Sequence, residues 1–228
     1  QWCLMIRFGP AGIPLSCKGR TLKDGIEDVH HLGLTALETQ LVRASIRERT
    51  AEPEEVGVTP LELVSDMVIE IVRRKGTKEE VIYDLDTPIK ADDTLVALTS
   101  GLAANYHDLR GLRVMAEELD VSMSIHTPYY MDLVSEGELS FKSMDSIRWG
   151  GIIAKALGGS MVVTHLGLYG DVDDKTAFKR IKGRVKELSA WYKKQKIKAP
   201  IGLELSGRRE IFGSLPEVVK LCKEVEGV

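Results

Sequence analysis

The sequence predicts an α/β fold in which repeated strand–helix units build a parallel sheet, as in an eight-fold (β/α) barrel. Short apolar segments typical of strands alternate with amphipathic helices along the chain, and each return to a parallel neighbour requires such a crossover helix. The length of 228 residues is near the ~250 residues of a complete barrel. About five units can be counted, so we expect a partial barrel whose other units lie in sequence not included here.

Local patterns define each unit in order. The first strand is predicted at residues 4–8, closed by the turn residues 9–12, and the first helix runs from about Thr21 to a stop at Gly33. Later helices show apolar residues at helical spacing, and Gly158 and Ser214 mark an end and an N-cap. Further strands are predicted at residues 36–42, 121–126, 161–165 and 201–205, and further helices at 105–119, 139–157, 173–196 and 214–225.

Residues 51–104 interrupt the alternation, and we interpret them as an inserted α+β subdomain of a barrel domain formed by residues 1–50 and 105–228. Thr59, Pro60 and Glu62 have the spacing of a helix N-terminus, and Val64, Met67, Val68, Ile71 and Val72 form an apolar stripe after it. Strands are predicted at 81–83 and 94–98. Alternatively these strands belong to the main sheet, but the stretch between them contains no crossover helix, which favours an insertion.

Composition excludes several classes of protein. The 43% hydrophobic and 29% charged residues are typical of a globular chain. A net charge of -3 gives no global positive field for nucleic acid, although a local patch remains possible. No apolar run approaches the ~20 residues of a membrane span. Cys3, Cys17 and Cys222 are too few and too scattered for a disulfide framework, and with no secretory signal they predict a reducing, cytoplasmic location.

Three predicted strands end in a potential metal ligand, namely His126, His165 and Glu204. Alternation places His126 on one face of its strand with Ser122 and Ser124, but it does not decide the face of His165. In α/β barrels the carboxyl ends of the strands form the active rim. Two imidazoles and one carboxylate suit a divalent metal such as zinc. The alternative is a hydrogen-bonded core histidine at each position.

The loops beyond these strand ends carry candidate substrate contacts. Tyr129 and Tyr130 can stack on a base or a sugar, or they can pack the loop onto the rim. Arg208 follows Glu204 in its loop and is a candidate for phosphate contact, with a solvent-facing arginine as the alternative.

At these segments the chain resembles the endonuclease IV family of abasic-site endonucleases, which are xylose-isomerase-like barrels. The resemblance covers about residues 5–50 and 106–228. It is carried by four segments: RFGPAGIP at 7–14, SIHTPYYMDL at 124–133, VVTHLG at 162–167 and GLELSGR at 202–208.

The resemblance implies a TIM barrel that carries up to three zinc ions at its strand ends, with manganese also possible. It implies that His126 and His165 bind one zinc, that Glu204 bridges two, and that all three are catalytic. Tyr129 matches a residue that the family inserts into damaged double-stranded DNA. The implied reaction is hydrolysis of the phosphodiester 5′ to an abasic site by a metal-bound hydroxide.

The chain also departs from the family pattern. The family's remaining Asp, His and Glu ligands come from later strands, so this sequence supplies a partial metal shell and could be inactive alone. Leu205 and Ser206 replace the Asn-Thr pair of bacterial members. The leading prediction is therefore a zinc-dependent DNA-repair phosphodiesterase, and the alternatives are a metal-dependent sugar isomerase or epimerase and a catalytically inactive binding module. The open edge of a partial sheet also predicts self-association.

Overall fold

A computed structural model describes residues 6–41 and 44–228 of the chain, which form two four-stranded sheets and five α-helices. The helices are α1 (Leu22–His31), α2 (Tyr106–Glu118), α3 (Glu138–Leu157), α4 (Asp174–Lys194) and α5 (Leu215–Glu224). The strands are β1 (Ala36–Gln40), β2 (Ser45–Thr50), β3 (Val68–Lys75), β4 (Lys78–Ile82), β5 (Thr94–Thr99), β6 (Ser122–His126), β7 (Val162–Thr164) and β8 (Ile201–Leu203).

The main sheet is parallel, with strand order β1-β6-β7-β8. Helices α3 and α4 are the crossovers from β6 to β7 and from β7 to β8. The predicted α/β fold with a partial barrel is confirmed. Gly158, in the left-handed conformation with φ 72°, ends α3 as predicted.

The predicted first strand is wrong in the residues that can be compared. Leu4 and Met5 lie outside the described residues, and residues 6–8 form no strand. Pairing with β1 instead begins at Phe8, whose carbonyl accepts a hydrogen bond from Ala36 N at 3.0 Å, and continues to Gly12 N, which donates to Glu38 O at 2.8 Å. The turn residues 9–12 themselves therefore run parallel to β1 and extend the sheet beyond it.

The predicted helix after Thr59 is also wrong. Glu62 accepts hydrogen bonds from the Thr59 N–H at 3.0 Å and the Thr59 hydroxyl at 2.8 Å, so the predicted N-terminal contacts form but close only a turn. The chain then enters β3, which pairs antiparallel with both β4 and β5. The segment VIEIV at the start of β3 is rich in β-branched residues, which favour a strand once neighbouring strands are available.

The second sheet is entirely antiparallel, in the order β2-β5-β3-β4, and it spans residues 45–99. It therefore begins before the predicted boundary at residue 51. One side contributes Met67, Ile69, Val96 and Leu98 to the core of the parallel sheet and its helices. The opposite side is covered by a smaller cluster that includes Leu63 and Ile89 from the connecting loops.

A buried ion pair connects Arg49 in strand β2 of the second sheet to Glu55 in the loop that follows that strand. The Glu55 side chain, in a residue only 6% exposed, accepts two hydrogen bonds from the Arg49 guanidinium, each at 2.6 Å, and one from Glu52 N at 2.9 Å. Arg49 also donates to Asp66 at 2.9 Å. The hydrogen bonds from Arg49 hold the pKa of the Glu55 carboxyl below its usual value, more than offsetting the effect of burial.

Among the described residues, Cys17 is buried and Cys222 is exposed, and neither forms a disulfide, while Cys3 lies outside that range. No helix in the described part of the chain combines the length and the apolar character that crossing a bilayer requires.

We predict opposite effects on stability from two glycine-to-alanine substitutions within helices. A Cβ at Gly151 in α3 would lie 2.6 Å from the ring of buried Tyr192, whereas a Cβ at Gly111 in α2 would meet nothing within 4 Å. Gly151→Ala should lower the free energy of unfolding by about 1–2 kcal/mol through overpacking. Gly111→Ala should raise it by about 0.5–1 kcal/mol, because alanine favours the helix. Urea unfolding of both variants measures this, and equal effects would contradict the packing described.

We predict that acid removes the contribution of the Arg49–Glu55 pair. Because the folded-state pKa of Glu55 is below the ordinary glutamate value of 4.5, this stability is complete above about pH 5 and is lost as the pH falls through the folded-state pKa. Glu55→Gln should cost about 2 kcal/mol at pH 7 and should reduce the loss of stability between pH 6 and pH 3.

Urea unfolding across this pH range checks that prediction. The exposed Glu118 of α2 offers the matched control, since Glu118→Gln removes a carboxylate that makes no ion pair in the described part of the chain. An unchanged pH dependence in Glu55→Gln would refute the assignment to this pair.

Candidate metal centre

Two histidines and one glutamate converge at the carboxyl ends of three adjacent parallel strands. His126 is the last residue of β6, His165 follows β7 and Glu204 follows β8. The Nε2 atoms of His126 and His165 lie 2.7 and 3.3 Å from Oε2 of Glu204. One potential ligand atom from each residue lies within 4.8 Å of the other two. These three residues are called the triad below.

The register of the parallel sheet puts the triad on one face. His126 pairs with Val163, and Val163 pairs with Gly202. Register partners in a parallel sheet point the same way, and residues two apart along a strand share a face. His165 and Glu204 lie two residues beyond these partners, so they face the same side as His126. The register thus decides the face of His165, which its own sequence pattern leaves open.

A backbone hydrogen bond orients the ring of His126. Its Nδ1–H donates to the Thr127 carbonyl at 2.7 Å, which leaves Nε2 directed at Glu204. This arrangement, with one ring nitrogen donating to a carbonyl and the other free for a cation, is common in metal-binding histidines. A donor set of two imidazole nitrogens and one carboxylate oxygen also occurs in catalytic zinc sites, so the triad fits a divalent cation.

The two imidazoles have different electrostatic surroundings. Burial lowers the pKa of His126, but its hydrogen bonds to the Thr127 carbonyl and to Glu204 outweigh burial, so the pKa is raised. Burial also lowers the pKa of His165, and here the attraction of Glu204 does not compensate, so the pKa is lowered. Of the two imidazoles that face Glu204, His126 is therefore the one whose pKa its surroundings raise.

Glu38 is a further acidic residue at this face, and it is absent from the sequence-based prediction. It lies on β1 opposite Ser124, and Gln40 lies opposite His126. The Glu38 carboxyl is half-buried, and its pKa is raised by burial, with His126 opposing and Glu204 adding to the shift. Alternation within β1 predicts that Glu38 and buried Leu37 point to opposite faces of the sheet. Only the pairing of β1 with β6 shows that the face of Glu38 is the one that carries the triad.

An open pocket of about 390 Å³ lies beside His165. Tyr129 forms one wall, with its ring edge-on to His165 at a centroid distance of 4.7 Å, and Tyr130 packs against Tyr129 at 5.3 Å. The two residues are 53% and 87% exposed. Exposed Arg208 and Leu168 also line the pocket. The structure therefore places the tyrosines, Arg208 and His165 around one pocket, and His165 joins that pocket to the other two residues of the triad.

A sequence model of the xylose isomerase-like TIM barrel family matches residues 95–228, which is more than half of the chain. No curated protein sequence matches the chain significantly. The matched residues include the whole triad.

Solved structures with a similar fold include an endonuclease and several sugar epimerases. Endonuclease IV from Thermus thermophilus is 17% identical, with a TM-score of 0.55, and the match covers 94% of this chain and 57% of that one. D-psicose 3-epimerase from Clostridium cellulolyticum, solved with D-tagatose, is 13% identical, with a TM-score of 0.54 and coverage of 96% and 60%. A D-psicose 3-epimerase in the presence of D-fructose is 11% identical, with a TM-score of 0.54 and coverage of 92% and 57%.

These similarities establish the fold, since the identities are far below those that indicate a shared activity. The chain spans about 57–60% of the length of these structures. Activity, substrate and partners are therefore argued below from the site itself.

We predict that the triad binds one divalent cation per chain. His165→Ala and Glu204→Gln should each weaken Zn²⁺ binding by about 100-fold or more, because loss of even an outer partner of a metal ligand typically costs about 10- to 100-fold. His107→Ala, which removes a histidine with an 82% exposed side chain, should leave binding unchanged. Isothermal titration of the metal-free protein with Zn²⁺ and Mn²⁺ provides the measurement. Equal affinity in all variants would place the metal elsewhere.

Proposed function

The chain belongs to the xylose isomerase-like TIM barrel family, and we propose that it acts as a zinc-dependent phosphodiesterase that cleaves damaged double-stranded DNA 5′ to abasic sites. The observation that carries this proposal is the triad with Tyr129 packed against its His165 at the mouth of a pocket. The motif resemblance to endonuclease IV at residues 124–133, 162–167 and 202–208 supports it. The cytoplasmic location and self-association stay predictions.

Each site residue has a role in the proposed reaction. His126, His165 and Glu204 hold Zn²⁺, with Mn²⁺ as the alternative cation, and the family pattern implies up to three ions in a complete site. Such a cation lowers the pKa of water and stabilises the charge that develops on phosphate oxygens. Tyr129 and Tyr130 stack on the DNA beside the lesion. Arg208, which lines the same pocket, contacts a phosphate.

The charge of the pocket favours a second candidate, a divalent-metal sugar isomerase or epimerase. Arg208 is the pocket's one lysine or arginine among the described residues, and Asp132 and Glu210 line the same pocket. DNA-binding surfaces generally present several cations to the phosphates. Acidic side chains can instead accept hydrogen bonds from sugar hydroxyls. The epimerases in the comparisons share the fold, so the choice between the two candidates depends on an assay.

We predict that the complete protein with Zn²⁺ nicks a duplex that contains one abasic analogue. His165→Ala should abolish nicking because it removes a ligand of the cation, and His107→Ala should nick at the wild-type rate. Gel analysis of a 5′-labelled duplex gives both the rate and the position of cleavage. Absence of nicking together with epimerisation of a ketose would support the second candidate, and absence of both would favour a binding module.

We predict that the Tyr129 ring, rather than its hydroxyl, matters for this substrate. Tyr129→Ala should lower kcat/KM for the abasic duplex by about 10-fold or more, since base–aromatic stacking contributes ~1–3 kcal/mol. Tyr129→Phe keeps the ring and should retain most activity. Steady-state kinetics on both variants distinguish these cases, and equal losses would argue for a role of the hydroxyl instead.

A further inference from the structure

Glu38 is a partly buried acid with no hydrogen-bond or ion-pair partner for its side chain in the described part of the chain, although its backbone pairs with Pro10 and Gly12. Two more deeply buried carboxylates do have partners. Glu55 is held by Arg49, and Asp93, which is 1% exposed, is held by Arg73 at 2.6 Å. Removing a carboxylate from water without a partner costs free energy. A positive charge near Glu38 would offset that cost.

The placement of Glu38 indicates where that charge would come from. Its register partner Ser124 lies on the neighbouring strand, about 4.8 Å away, and His126 lies two residues further along, about 6.6 Å up the strand. Glu38 thus lies one layer below the triad, on the same face of the parallel sheet. The pKa of its carboxyl is raised by burial, lowered by the charge of His126 and raised by that of Glu204.

The triad alone does not neutralise the charge of a divalent cation. Metal-bound histidines are neutral, so Glu204 contributes the triad's one negative charge against the two positive charges of the cation. A residual positive charge in a half-buried site is unfavourable, because the surroundings screen it less than water does. A second carboxylate within one layer would offset part of that charge.

We propose that Glu38 is an outer carboxylate of this metal site, one that makes no direct bond to the ion and supplies negative charge beside a cation held by His126, His165 and Glu204. Glu38 is a positioning residue for the cation rather than a catalytic residue. The inference rests on the metal-binding part of the proposed function and is independent of the substrate.

The test compares Glu38→Gln, Glu38→Asp and the exposed control Glu118→Gln by isothermal titration of the metal-free proteins with Zn²⁺. Glu38→Gln should bind about 10- to 100-fold more weakly than wild type, the range found for outer partners of metal ligands. Glu38→Asp keeps the charge and should bind more tightly than Glu38→Gln, and Glu118→Gln should match wild type. Zn²⁺ affinity of Glu38→Gln within twofold of wild type would overturn the proposal.

Two further readouts separate this role from a structural one. Metal-free Glu38→Gln should unfold at the same or a higher temperature than wild type, because burial disfavours the Glu38 charge more than the attraction of His126 favours it, and lower stability would count against the proposal. The Co²⁺ absorption spectrum of Glu38→Gln should keep the band positions of wild type, because the triad is unchanged.

The outcomes also distinguish this inference from the proposed function. If abasic DNA is not nicked but Glu38→Gln weakens Zn²⁺ binding, the substrate assignment fails and the role of Glu38 stands. If DNA is nicked but Glu38→Gln leaves Zn²⁺ affinity unchanged, the proposed function stands and the role of Glu38 fails. A wild-type protein that binds no divalent cation overturns both.

Discussion

The hydrogen-bond register of β6, β7 and β8 is the constraint on which the candidate site depends. His126, His165 and Glu204 are far apart in sequence, and each lies at or just beyond the end of a short strand. A shift of one residue in either pairing would turn one ligand to the opposite face of the sheet and away from the other two. The side chains that fix this register are therefore the buried residues between sheet and helices, such as Ile125 and Val162, which lie outside the site.

The sequence predicts the parallel half of the fold well because its signals are local and consistent. Apolar spacing, the Ser214 N-cap of α5 and Gly158 at the end of α3 all favour the same structure. The segment after Thr59 fails for a physical reason. Its first turn has the contacts of a helix N-terminus, but β-branched residues follow and distant strands offer hydrogen bonds that the local sequence does not reveal.

Local sequence likewise identifies some residues of the site, whereas another is found only from the pairing of distant strands. Strand-end positions suffice to select the three triad residues, because the carboxyl ends of parallel strands meet at one edge. Glu38 could not be selected in this way. Its significance arises from the partner of β1, and the chain between β1 and β6 contains the whole antiparallel sheet, which hides the fact that the two strands are neighbours.

The hydrogen bond from His126 to Thr127 has a consequence for how the site responds to its ligands. Thr127 begins the segment that carries Tyr129 and Tyr130, so the same short stretch of backbone aligns an imidazole and displays two aromatic rings. A molecule whose binding shifted the Thr127 carbonyl would therefore also change the orientation of the imidazole. Thermodynamic linkage then applies to both ligands. If a bound cation raises the affinity of the site for such a molecule, the molecule raises the affinity for the cation by the same factor.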